Sequence, residues 1–86
     1  ENPNASYIDT YAWVLYKLEK YDLALNQIEL ALSLNPSSAV LLEHYGDILY
    51  KLGMKDQALN EWKKAFQLDN QNIILETKIN QGILNE

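Results

Sequence analysis

Apolar side chains at Tyr7, Ile8, Tyr11, Ala12, Val14, Leu15 and Leu18 recur at spacings of three and four, as on a helix with one buried face. The same pattern returns at Leu41, Leu42, Tyr45, Gly46, Ile48, Leu49 and Leu52. Two further stripes follow them in turn: Ala24, Leu25, Ile28, Ala31 and Leu32, then Ala58, Leu59, Trp62, Ala65 and Phe66. Four helices in two pairs are predicted. Within each pair the break falls at "EKYD" (19–22) or "GMKD" (53–56). Gly53 suits a left-handed C-cap, and Glu19 fills the matching place without a glycine's freedom, at a conformational cost. Asp22 and Asp56 open the second helices, where the positive end of the helix dipole favours an anion. Between the pairs, Pro36 in "NPSS" ends a helix and Ser37 or Ser38 can cap the next, while "DNQN" (69–72) does the same work without a proline.

The pairing is a repeat. Residues 5–38 laid over 39–72 without a gap give twelve identities in 34 positions, including "LYKL" at 15–18 and again at 49–52. Unrelated chains would give roughly two. A period of 34 points to a stacked helical array, and the small residues Ala12, Gly46, Ala24, Ala31, Ala58 and Ala65 let its helix axes approach closely. Residues 73–86 predict a fifth helix, with Ile79 and Ile83 covering the end of the second unit and Lys78, Asn80, Gln81 and Asn85 forming a polar remainder. The competing reading of this segment is the first helix of a third unit. Residues 1–4 read as the end of a preceding unit or a linker, and the chain as the C-terminal fragment of a longer protein.

Composition narrows the partners. The net charge is −5, with seven lysines and no arginine, which disfavours a phosphate-binding surface and with it nucleic acid. Without cysteine there is neither disulfide nor thiolate chemistry, and the redox argument fixes no compartment. No run of about 18 apolar residues is present to insert into a membrane.

A 34-residue helix-turn-helix unit with small residues at its eighth, twentieth and twenty-seventh positions resembles the tetratricopeptide repeat. Those positions hold Ala12, Ala24 and Ala31, then Gly46, Ala58 and Ala65. The large positions agree at Ile8/Leu42, Tyr11/Tyr45, Leu15/Leu49 and Ile28/Trp62, and Pro36 fits the thirty-second position where Asn70 departs from it. The resemblance implies an all-α, right-handed superhelix, with 5–38 and 39–72 as units and 73–86 as a capping helix, of the kind found in bacterial repeat proteins. It also implies a non-catalytic scaffold without cofactor, binding a peptide or protein segment in a concave groove lined by the first helix of each unit. By the same resemblance the groove residues are Asp9, Trp13, Tyr16 and Lys17, with Ser6, and Glu43, Asp47, Tyr50 and Lys51, with Val40. Independently of the family, Asp9, Trp13 and Tyr16 are spaced i, i+4, i+7, as are Glu43, Asp47 and Tyr50, so each set shares one helix face. An anionic, aromatic groove of this kind suits a basic or apolar segment. The competing reading of Tyr16 and Tyr50 is that they pack the seam between helices.

Other chemistry fares less well. Glu43, His44 and Asp47 suggest a metal, but Glu43 and His44 point about 100° apart on a helix, which suits a solvated polar face better. No nucleophile, base and orienting group can be nominated together, so no catalysis is expected. Trp62 sits at a packing position and is expected in the core. Trp13 has Asp47 as its repeat partner, so packing does not demand an indole there, and either a groove contact or a contact to a missing preceding unit is expected instead. If a preceding unit is missing, Tyr7, Tyr11 and Val14 form an apolar flank, and self-association through the 5–18 helix follows. The alternative functions are a structural terminator of a longer array and, disfavoured by charge, an RNA-binding helical repeat.

Overall fold

The computed structural model describes residues 2–83. Among them five helices follow in order: α1 (Pro3–Lys17), α2 (Tyr21–Leu34), α3 (Ala39–Lys51), α4 (Lys55–Leu68) and α5 (Ile73–Gln81). The chain is an all-α repeat, and the described residues contain no strand.

Local chemistry sets the helix ends. Ser38, rather than Ser37, caps α3, its Oγ accepting the Leu41 amide at 3.3 Å. One repeat later Asn72 caps α5, its Oδ1 accepting the Leu75 amide at 3.0 Å. α1 begins ahead of the expected boundary at residue 5, because Asn2 accepts the Asn4 amide at 2.9 Å and Pro3 suits a first turn that needs no N–H. Residues 3 and 4 therefore belong to the first helix rather than to a linker. Gly53 takes φ 84° and Glu19 takes φ 61°, the left-handed conformation expected of both. This turn lets the Lys20 and Met54 amides reach back to the Leu15 and Leu49 carbonyls, each at 2.9 Å.

The central helix is α3. One of its faces, through Leu41 and Ile48, joins a core with Ala5, Ala12, Leu15 and Tyr16 of α1 and Ala24, Ile28 and Ala31 of α2. Its other face, through Leu42 and Leu49, joins a second core with Ala58, Trp62 and Ala65 of α4 and Leu75 of α5. On α1 only the inner face is covered. Tyr7, Tyr11, Val14 and Leu18 are exposed, although their repeat equivalents Leu41, Tyr45, Ile48 and Leu52 all belong to the first core.

α5 packs on the second unit, with Leu75 fully buried and Ile79 beside it. Two details differ from expectation. Gly82 ends the helix at φ 66°, so Ile83 falls beyond it and is 42% exposed. Lys78, expected in the polar remainder, is buried because two carboxylates of α3 reach it. Asn85 lies outside the described residues. Glu76 and Asn80 are exposed where α1 and α3 carry Ile8/Leu42 and Ala12/Gly46 to pack their second helices.

The two units differ most where large meets small. Unit one sets Ala12 beside an α2 that carries Ile28, whereas unit two places the fully buried indole of Trp62 directly on Gly46. A methyl at Gly46 would collide with that ring and press on the Ala58 carbonyl at 3.1 Å. Gly46→Ala is therefore expected to destabilise the fold, because overpacking of about 1–3 kcal/mol outweighs a helix-propensity gain of at most about 1 kcal/mol. Combining it with Trp62→Ile, which restores the pair found in unit one, should recover on the order of 1 kcal/mol relative to the sum of the single effects in urea denaturation. Strict additivity would show that the indole does not set the size limit at residue 46.

Candidate functional site

The first helices α1, α3 and α5 occupy equivalent places in the repeat. The eight residues expected at the groove lie on α1 and α3. In unit one these build an aromatic column. Trp13 stacks on Tyr16 with centroids 4.4 Å apart and an interplanar angle of 9°, and its ring also pairs with the imidazole of His44 on α3 at 4.3 Å. Tyr21 meets Tyr16 edge-on at 5.5 Å. Asp9 closes the column, its carboxylate 2.7 Å from His44 Nδ1. The column holds α1 against α3. Tyr16 is buried in the first core, which matches the seam-packing alternative for this residue. Trp13 is half-buried with both ring faces engaged, so packing does use the indole at a position where its repeat partner is an aspartate.

In unit two the same positions carry ions. Lys78 of α5 reaches Glu43 Oε2 at 2.8 Å and Asp47 Oδ1 at 3.0 Å. Asp47 Oδ1 also accepts the indole N–H of Trp62 at 3.0 Å, and Asn72 donates to Glu43 at 3.2 Å. The Lys78 ammonium lies 5.9 Å from the Trp62 ring centroid, and Tyr50 stacks against the same indole at 5.8 Å. Among the described residues no buried side-chain nitrogen or oxygen lacks a partner. Burial raises the Asp47 carboxyl above its ordinary 3.8, more than Lys78 and the indole lower it. Burial acts downward on Lys78, but its hydrogen bonds and the charges of Glu43 and Asp47 hold it above 10.5. Such a pair fixes geometry more than it adds net stability.

Two of the three carboxylate–base contacts between first helices share one register. Asp9 meets His44 and Glu43 meets Lys78, each 35 residues apart, so an acid on one first helix meets a base on the next. Sequence reasoning missed His44, Lys78 and Tyr21. The offset was readable, since Asp9/Glu43 and His44/Lys78 are themselves repeat pairs. Glu43, His44 and Asp47 do not converge on a metal position: the two acids turn to Lys78 and the histidine to Asp9.

Lys17 and Lys51 are exposed at the far ends of α1 and α3. Together with Tyr16, Tyr21 and Glu19 they border a cleft of about 330 Å³. Lys17 is held over the Trp13 and Tyr16 rings, 5.4 and 5.9 Å from their centroids. At the opposite helix ends Ser6, Val40 and Ile74, repeat equivalents, are exposed. Asp9, Glu43 and Asp47 thus have partners within the fold.

A family profile described as tetratricopeptide repeat matches residues 5–38 and again 39–72. A search of curated proteins returns no significant match.

The Lys78 network has a pH signature. Because the folded value of Lys78 lies above its unfolded value, its contribution is complete below pH 10.5 and is lost as pH rises through the folded value. Lys78→Met should cost about 3 kcal/mol at neutral pH by leaving Asp47 buried without its cation, and should flatten the alkaline loss of stability. Asp47→Leu with Lys78→Met should recover most of that cost. Urea denaturation between pH 7 and 11 measures both, and an unchanged alkaline slope in Lys78→Met would remove the lysine from the account.

Proposed function

Because the chain belongs to the tetratricopeptide repeat family, whose repeats generally serve as protein–protein interaction modules, we propose that the face shared by α1, α3 and α5 holds a segment of a partner protein in a concave groove. No catalytic step is assigned to it, in keeping with a family of scaffolds. The observation that carries the reading is the division of the eight groove positions. Asp9, Trp13, Tyr16, Glu43, Asp47 and Tyr50 make side-chain contacts that tie the helices together, while Lys17 and Lys51 are solvent-exposed at equivalent places at the ends of α1 and α3. A rigid floor under a few exposed side chains limits the ordering cost of binding.

Replacing only exposed residues separates binding from folding. Lys17→Ala/Val40→Ala/Lys51→Ala should leave the melting temperature nearly unchanged, since such surface changes fall within about ±0.5 kcal/mol each. The same variant should lose, by tenfold or more, proteins that the wild-type chain retains specifically in a pull-down. Undiminished capture would instead favour a structural terminator whose array binds its partner elsewhere.

A second reading concerns self-association. The exposed row Tyr7, Tyr11, Val14 and Leu18 continues, on α1, the face by which α3 packs on α2. A second copy seated there would bury it. Sedimentation velocity at rising concentration should show a species of twice the mass that Tyr11→Lys/Val14→Lys abolishes. A single-chain mass at millimolar concentration would exclude this contact.

A further inference from the structure

We infer that two copies of this chain pair about a two-fold axis, with the α1 row of each seated on an exposed leucine stripe of the other's α2. The assignment rests on the self-association reading above and names the surface that receives the row. On α2, Leu23, Gln27, Leu30 and Leu34 recur at spacings of four, three and four, so they share one side of the helix. The three leucines are exposed. They lie on the opposite side of α2 from Tyr21, Leu25 and Leu32, which pack against the first core. Stacking of repeats does not account for this stripe. In unit two its places are held by Gln57, Glu61, Lys64 and Leu68, and Gln57, Lys64 and Leu68 are exposed although unit one is stacked before them. A preceding repeat would therefore cover Tyr7, Tyr11, Val14 and Leu18 and leave the leucines of α2 in water.

The occupant that fits both surfaces is a second copy, because each copy carries both halves of the contact. The α1 row has the same four-three-four spacing as Leu41, Tyr45, Ile48 and Leu52 of α3. That α3 row shares the first core with Tyr21, Leu25, Ile28 and Leu32 of α2, spaced in the same way. The leucine stripe repeats this spacing on the other side of α2. A two-fold axis then sets row on stripe twice, and each apolar surface covers its counterpart. Neither surface includes a charged residue, so two chains of net charge −5 meet there without bringing like charges into contact. Side chains exposed by 37% (Leu34) to 75% (Tyr7) offer on the order of 100 Å² each. The row and the stripe together supply roughly 700 Å² per copy, near the ~800 Å² that one partner contributes to a stable interface.

Opposite charges placed on the two surfaces test this. One variant is Tyr11→Lys/Val14→Lys, and the other is Gln27→Glu/Leu30→Glu, at the middle of the stripe. Circular dichroism verifies that both are folded. In sedimentation velocity each variant alone should associate at least tenfold more weakly than the wild type. An equimolar mixture should regain the double mass, because one contact is then native and the other sets lysines against glutamates. Raising the salt concentration should weaken the mixed species. A mixture that stays at single-chain mass would overturn the pairing of row on stripe. So would a Gln27→Glu/Leu30→Glu variant that associates as the wild type does. Either result leaves the self-association reading standing when the wild type doubles and Tyr11→Lys/Val14→Lys does not. A wild type at single-chain mass up to millimolar concentration would remove that reading itself.

Discussion

The indole of Trp62 is the point on which the second half of the molecule turns. Its ring lies against Gly46, where α3 offers no side chain, so α3 and α4 can come together around a residue of that size. Its N–H is then satisfied by Asp47, the next residue on α3. A buried carboxylate needs a cation, and Lys78 brings one from α5. Large meets small, a donor requires an acceptor, and the acceptor's charge recruits the next helix. Three helices are thereby fixed by consequences of one large side chain.

Unit one solves the same problem with other chemistry. Ile28 and Ala12 occupy the places of Trp62 and Gly46, and the position of Asp47 carries Trp13. Here the indole stands on the first helix, and its contact to the following helix is a stacked His44 in place of an ammonium. The register is nevertheless the same, since an acid of one first helix meets a base of the next in both cases. The family pattern specifies packing residues. The polar side chains on the shared face are not part of that pattern, and in this chain they join neighbouring units. The acids of that face are thus engaged within the fold.

Much of the architecture was legible in the sequence because its determinants are local or periodic. Stripe spacing gave the helices, the offset of 34 gave the units, and the demand for a left-handed residue at Glu19 and Gly53 gave the turns. The start of α1 was less readable, since Asn2 and Pro3 act as a cap only once the helix exists. The candidate site was the hardest part. Spacing along one helix relates Asp9 to its own neighbours and Glu43 to Asp47, whereas their counterions arrive from the next first helix. Lys78 looked like a surface lysine because its own helix neighbours, Thr77 and Ile79, carry no charge, and its partners lie 31 and 35 residues away. Trp13 looked unexplained by packing because its partner His44 enters from a different unit.

If Trp62, Asp47 and Lys78 act as one buried unit, the indole N–H can exchange with solvent only when that unit comes apart. Hydrogen exchange of the Trp62 Nε1 proton, followed by NMR under native conditions beside the α5 amides, measures this directly. The indole and the amides of α5 from Glu76 to Gln81 should exchange with one shared opening free energy. An indole that stays protected while α5 opens separately, or one that exchanges as fast as an exposed tryptophan, would contradict it.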